Sequence, residues 1–240
     1  MVATAHIEKY RAGNSQIVDL FTADLHAVWQ ALDLGSPRQA RDVLFEVLPE
    51  LTDIYGEQAA FIAAEWFEDL RALERVPGTF SPSMAETVPR EIVVSRVGYG
   101  ARHLFTEQPE LTLPFLETAL SEYVLQPGRD TIQRSSIEDP RASGWHRETR
   151  PSDSYHKGCG FCQMLAGRGG VYKRATASFA AHGKCHCVAV PSWDANAPEV
   201  PAIAYEASKK TSKMSAAQKE RHNSMIRAYV NEHHPVEKIS

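Results

Sequence analysis

The sequence from Cys159 to Cys187 reads CGFCQMLAGRGGVYKRATASFAAHGKCHC, and it holds all four cysteines of the 240-residue chain. Cys159 and Cys162 form a C-x-x-C pair, and after nineteen intervening residues an H-x-x-C-x-C element begins at His182. Thiolate and imidazole ligands suit zinc, and two compact ligand pairs at this spacing are typical of a tetrahedral zinc site. The spacing therefore predicts that this stretch folds around one metal ion.

Five residues compete for the four ligand positions. In an extended segment Cys185 and Cys187 point to one face and His186 to the other, so His186 is the least expected ligand. The spacing does not decide which of the remaining five is unused, and a four-thiolate site with His182 beside it is an open alternative. The candidate zinc ligands are four of the following: Cys159, Cys162, His182, Cys185 and Cys187.

A site filled by four protein ligands has no open coordination position, so it stabilises a fold and does not activate water. No aspartate or glutamate occurs between Ser154 and Trp193. A zinc deaminase, by contrast, needs a glutamate beside its ligand histidine. We therefore expect a structural zinc ion and no enzymatic activity. A zinc hydrolase or an HNH-like nuclease would need an open metal position, or histidines with a nearby acid.

The stretch from Ser154 to Trp193 is also a local island of positive charge. It contains five basic residues and no acidic one, although the whole chain has a formal net charge of −4. Lysine and arginine bind phosphates without reading the base sequence, so DNA is a candidate non-specific partner. A solvated basic face is the alternative. The candidate nucleic-acid contacts are Lys157, Arg168, Lys173, Arg174 and Lys184.

The first 140 residues have helical periodicity, because apolar residues recur three and four positions apart. We expect Asn14 or Ser15 to cap the first helix, and Pro49 to kink or split the second. Pro127-Gly128 should end a further helix and separate it from a last one near 129–138. In addition to the helix near 129–138, the predicted helices cover 15–33, a stretch from Pro37 to Leu51, 56–75, 90–106 and 110–125.

From Asp139 onward, glycine and proline punctuate the chain and the helical periodicity ends. The β-prone runs Gly170–Lys173 and Cys187–Val190 predict a short antiparallel hairpin beside the metal site. The last thirty-five residues carry seven basic and four acidic side chains, with one short helix expected over 215–230. Alone this helix buries too little apolar surface to be stable, so we expect it to order on a partner, and a frayed, partly disordered tail is the alternative.

These patterns predict an α+β fold that is mostly α. We expect an α-helical domain over 1–140, a cysteine-rich zinc-knuckle-like module over 141–193 and a basic C-terminal tail over 194–240. The composition, with 43% hydrophobic and 23% charged residues, is typical of a folded protein. No stretch approaches the eighteen apolar residues of a membrane span, and residues 1–10 lack the apolar core of a signal peptide. We expect a protein of a reducing cytosol, without a membrane partner.

The motif from Gly144 to Cys187 resembles the cysteine-rich region of Mu F-like minor capsid proteins, especially those of tailed actinobacterial phages. The resemblance rests on Gly144-Trp145 through Arg147, on Gly158 to Gly169, on Val171-Tyr172, and on His182-x-x-Cys185-His186-Cys187. Over the first 140 residues it is architectural only.

The resemblance implies a minor head protein with no catalytic residues and no small-molecule substrate. It implies a place in the capsid interior near the portal or inner shell, and in the host cytoplasm during assembly. The implied partners are the portal or the major capsid protein, and the implied role is head assembly, genome packaging or ejection. The alternative is a stand-alone zinc protein that binds nucleic acid, although no base-reading recognition helix lies between the ligand pairs.

Overall fold

The computed structural model describes residues 2–149, 160–168, 170–173, 179, 185, 187–200, 214–218, 220–221, 224–225 and 228. These residues are mostly helical with one two-stranded antiparallel sheet, which confirms the predicted fold class. The helices and strands are α1 (Val2–Gln30), α2 (Pro37–Leu73), α3 (Arg90–Ala101), α4 (Thr112–Glu138), β1 (Gly144–Glu148), α5 (Gly160–Ala166) and β2 (Val188–Ser192). Two 3₁₀ turns, Arg102–Phe105 and Pro109–Leu111, join α3 to α4.

The first helix begins at Val2, so the prediction of a cap at Asn14 or Ser15 was wrong. Ile7 and Tyr10 are buried, and they extend the apolar stripe of α1 toward the N-terminus at three- and four-residue intervals. Asn14 is one polar position within that stripe, and it does not interrupt the helix.

Pro49, which is expected to kink or split a helix, lies inside α2, and Pro127, which is expected to end one, lies inside α4. Leu48 and Thr52 on either side of Pro49 are buried, and this tertiary packing outweighs the lost backbone hydrogen bond. At Pro127-Gly128, α4 lies very close to α2. A Cβ atom on Gly128 would lie only 2.8 Å from the carbonyl oxygen of Ala59. The Pro-Gly pair is therefore a close helix contact and not a helix end.

The core has two parts. The first lies among α1 to α4 and is built around fully buried side chains such as Phe21, Leu44 and Leu120. The second joins the helices to the sheet and the cysteines, and it includes Phe67 and Trp145. Each such side chain contributes about 1.5–3 kcal/mol when fully buried. The domain boundaries at 140 and 193 remain predictions, while the described part of the cysteine-rich module shares this second core with the helices.

The sheet pairs β1 with β2, with Gly144 opposite Ser192 and Glu148 opposite Val188. The predicted hairpin between Gly170–Lys173 and Cys187–Val190 was therefore wrong. Val171 and Tyr172 in fact make single bridges, to Glu199 and Trp145 respectively. The polar sequence of β1 gives a weak strand signal, and the strand is held by burial of Trp145, whose ring stacks on Tyr172 at 4.7 Å.

A buried ion pair connects the helices to the chain that follows β2. The Arg71 Nε atom donates to the Asp139 Oδ2 atom at 3.0 Å, and the Trp193 indole donates to the same oxygen at 2.9 Å. Burial alone would raise the pKa of Asp139. The hydrogen bonds from Trp193, the Arg141 backbone and Arg71 outweigh that effect and hold this pKa below its usual value. The ionised carboxylate thus joins α2, the end of α4 and the segment after β2.

The described residues of the C-terminal tail from 216 to 228 are helical and exposed. They agree with the helix expected over 215–230, and its ordering on a partner remains a prediction. No helix in the described ranges is both long enough and apolar enough to cross a membrane.

Candidate metal centre

Three of the predicted ligands come together in the structure. Cys162 lies on α5, whereas Cys185 and Cys187 lie in the segment that leads into β2. The three Sγ atoms all lie within 4.8 Å of one another, and those of Cys162 and Cys185 are 3.7 Å apart. Cys159 and His182, the other two predicted ligands, lie outside the described residues.

The sulfur spacing fits a tetrahedral thiolate site. A Zn–S bond of about 2.3 Å gives a sulfur–sulfur edge of roughly 3.8 Å in a regular tetrahedron. A disulfide would bring two sulfurs to about 2.05 Å, whereas the Cys162 and Cys185 sulfurs are 3.7 Å apart. All three are buried, with at most 7% of any of them exposed. The group could therefore hold a metal ion that is shielded from solvent.

Two buried arginines lie against the cysteine cluster. Arg129 of α4 donates from Nη2 to the carbonyl oxygen of Cys185 at 2.9 Å, and the Arg147 Nη1 atom of β1 lies 3.9 Å from the Cys162 sulfur. Both guanidinium groups also lie over the ring of Phe179, at 5.3 Å and 3.6 Å from its centroid. The arginines thus connect the cluster to a helix and to a strand.

The positive charge of buried Arg129 indicates that the site suits a metal–thiolate centre of net negative charge. Its Nη1 atom is buried and has no hydrogen-bond partner among the described residues. Burial lowers the pKa of Arg129, and the nearby Cys185 thiolate acts in the opposite direction. A buried cation is costly unless an anion lies close by. A divalent ion held by three or four thiolates carries a net negative charge, so the arginines fit such a centre.

The three thiols differ in acidity. Hydrogen bonds with Cys162 and Cys187 lower the pKa of Cys185, while the bond with Cys185 raises the pKa of Cys162. The hydrogen bond with Cys162 would lower the pKa of Cys187, but the bond with Cys185 and burial raise it to about 11. Cys185 is therefore the thiol that ionises most readily, and the thiolate is the form that binds metal.

Of the five candidate nucleic-acid contacts, two lie among the described residues. Arg168 and Lys173 are exposed, which is what a nucleic-acid contact requires. Lys157, Arg174 and Lys184 lie outside the described residues. The proposed DNA contact therefore remains a prediction.

Sequence reasoning missed the role of both arginines. Arg147 belongs to the quoted motif and Arg129 to a predicted helix, but neither position in the sequence indicates a contact with the cysteines. Only the tertiary structure brings them to the sulfurs, and the local sequence carries no signal that could have found Arg129.

The fold and the site together define a mostly helical protein with a buried cysteine cluster that could bind a metal ion. A family model described as VG15 protein matches residues 1–218, and the chain belongs to this family. The matched range contains α1 to α4 as well as the three clustered cysteines. A comparison with curated proteins and one with solved structures each found no match.

Proposed function

We propose that the chain is a minor capsid protein of a tailed phage, of the Mu F-like kind, and acts in head morphogenesis. The observation that carries the proposal is the motif from Gly144 to Cys187, which resembles the cysteine-rich region of that family. In this chain the same motif supplies β1, α5 and the three clustered thiols. The proposed location is the capsid interior, with the host cytoplasm during assembly.

The proposed role of the cysteine cluster is to bind one structural zinc ion. Cys162, Cys185 and Cys187 would supply three ligands, and Cys159 or His182 the fourth. A zinc ion with four protein ligands stabilises the fold and leaves no position for substrate. The burial of the described thiols supports this structural role, and we propose no enzymatic activity and no small-molecule substrate.

The charge of Arg129 gives a direct prediction for zinc affinity. Changing Arg129→Met keeps much of the side-chain volume but removes the positive charge beside the thiolates. Residues that contact metal ligands typically change metal affinity by about 10–100-fold when altered, and we expect a loss in this range. Competition with a chromogenic zinc chelator measures it. Arg134→Met, at an exposed position of the same helix, is the matched control. Equal zinc affinity in the two variants would contradict the role given to Arg129.

The proposed partners are the portal or the major capsid protein, and packaged DNA as a non-specific partner. Exposed Arg168 and Lys173 support the DNA contact. Contacts to phosphate are salt-dependent, and two charges give weak binding. DNA is therefore a secondary partner in this proposal, and a capsid component is the main one.

Purified virions provide the test of the capsid role. We expect mass spectrometry of washed particles to detect the chain at fewer copies than the major capsid protein. We also expect the tagged chain to co-purify with the portal or major capsid protein from infected cells. Detection only in the soluble lysate, bound to DNA, would favour the alternative of a stand-alone zinc protein that binds nucleic acid.

A further inference from the structure

A groove of about 870 Å³ lies between α1, α2 and the segment that leads into α3. Three large apolar side chains line it and are about half exposed: Leu20 at 48%, Phe61 at 52% and Met84 at 53%. Scattered apolar side chains are normal on a protein surface, but several around one concave site usually mark an interaction surface. We call this surface the apolar groove.

The rim of the apolar groove is acidic. Asp53, Glu57 and Glu86 line it and are exposed, and the described lining residues include no lysine or arginine. Such a rim repels nucleic-acid phosphate. It favours a partner that presents apolar side chains together with positive charge.

The C-terminal segment of this chain has the complementary chemistry. Its sequence places Met225, Ile226, Tyr229 and Val230 at helical spacing, within a tail of seven basic and four acidic residues. The described tail residues from 216 to 228 are helical and exposed, and 66% of Met225 is accessible. Within the described part of the chain, Met225 is thus not covered by the rest of its own molecule.

We infer that the apolar groove binds the C-terminal helix of a second copy of this chain. The apolar side of the helix occupies the groove, and its lysines and arginines face the acidic rim, as amphipathic helices do in grooves of this kind. Each copy has one groove and one tail, so the contact is heterologous and joins copies head to tail into a ring or an open chain. This inference goes beyond the proposed capsid role and does not depend on it.

Sedimentation velocity of the purified full-length chain tests the inference with two blocking variants. We expect the wild type to associate as its concentration rises, and the association to weaken with added salt. Phe61→Asp, which blocks the groove, and Met225→Asp, which blocks the tail, should each remain monomeric. An equal mixture of the two should form a dimer with one copy of each and nothing larger, because a single intact groove and a single intact tail remain.

Ile92→Asp is the matched control, because Ile92 is 45% exposed on α3 and does not line the groove. It should associate like the wild type, which separates loss of the groove from a general effect of a new charge. A wild type that is monomeric at every concentration would overturn the inference, including a case in which the tail binds the groove of its own molecule. A mixture of the blocked variants that stays monomeric would overturn it as well.

Discussion

The Cys162→Ser variant is expected to lose tight zinc binding and to melt at a temperature roughly 10 °C below the wild type. Cys162 is the ligand that connects α5 to the segment before β2, and its side chain lies in the core shared with the helices. Loss of a structural metal is among the few single changes that cost about 4 kcal/mol or more. In a chain of this size each kcal/mol shifts the melting temperature by about 2–4 °C. Thermal unfolding followed by circular dichroism measures the difference.

A chelator supplies the control for this variant. Removing metal from the wild type with a strong chelator should lower its melting temperature by a similar amount. The same chelator should leave the melting temperature of Cys162→Ser unchanged. A variant that melts like the wild type, with chelator also without effect on either protein, would show that no ion stabilises the module.

The Asp139→Asn variant is expected to lose about 3 kcal/mol of unfolding free energy, because it leaves the buried Arg71 guanidinium without a counter-charge. The Asp139 side chain is fully buried and accepts hydrogen bonds from Arg71 and Trp193. Denaturant unfolding at neutral pH measures the loss. Asp42→Asn is the control, since Asp42 forms a surface ion pair with Arg41 and should change stability by less than about 1 kcal/mol.

The pH dependence of the unfolding free energy, compared between the wild type and Asp139→Asn, gives a second readout. The pKa of Asp139 is lower in the folded protein than the usual aspartate value of about 3.9. The carboxylate therefore contributes its full stability above the unfolded-state pKa, and the contribution is lost as the pH falls through the folded-state pKa. The difference between wild type and Asp139→Asn should be constant from pH 7 to pH 5 and should shrink below about pH 4. A difference that is unchanged at low pH would mean that the charge of Asp139 is not its cause.

The sequence was sufficient to predict the mostly helical class and the clustering of Cys162, Cys185 and Cys187. Both follow from local rules, namely the three- and four-residue apolar spacing and the ligand spacing of a zinc knuckle. The positions of the helix ends were harder to predict. Pro49 and Pro127 carry strong local signals for a break, and these signals are overridden by packing between α2 and α4.

The partner strand of β2 and the arginines at the cluster were not predictable from local sequence. β1 is a polar segment that becomes a strand because Trp145 is buried against the rest of the molecule. Arg129 reaches the cysteine segment across 56 positions of sequence, so no window of neighbouring residues contains both groups. The cysteine spacing identifies the sulfur ligands, whereas the arginines beside them come from helix α4 and strand β1.

We propose that the cysteine cluster is a metal centre that holds the C-terminal part of the fold together. The most direct measurement is the metal content of the folded wild-type protein by plasma mass spectrometry, combined with titration of free thiols before and after denaturation. We expect one equivalent of zinc per chain, with the cysteines unreactive until the protein is unfolded or its metal is removed by a chelator. Zinc well below one equivalent, with four reactive thiols in the folded protein, would contradict it.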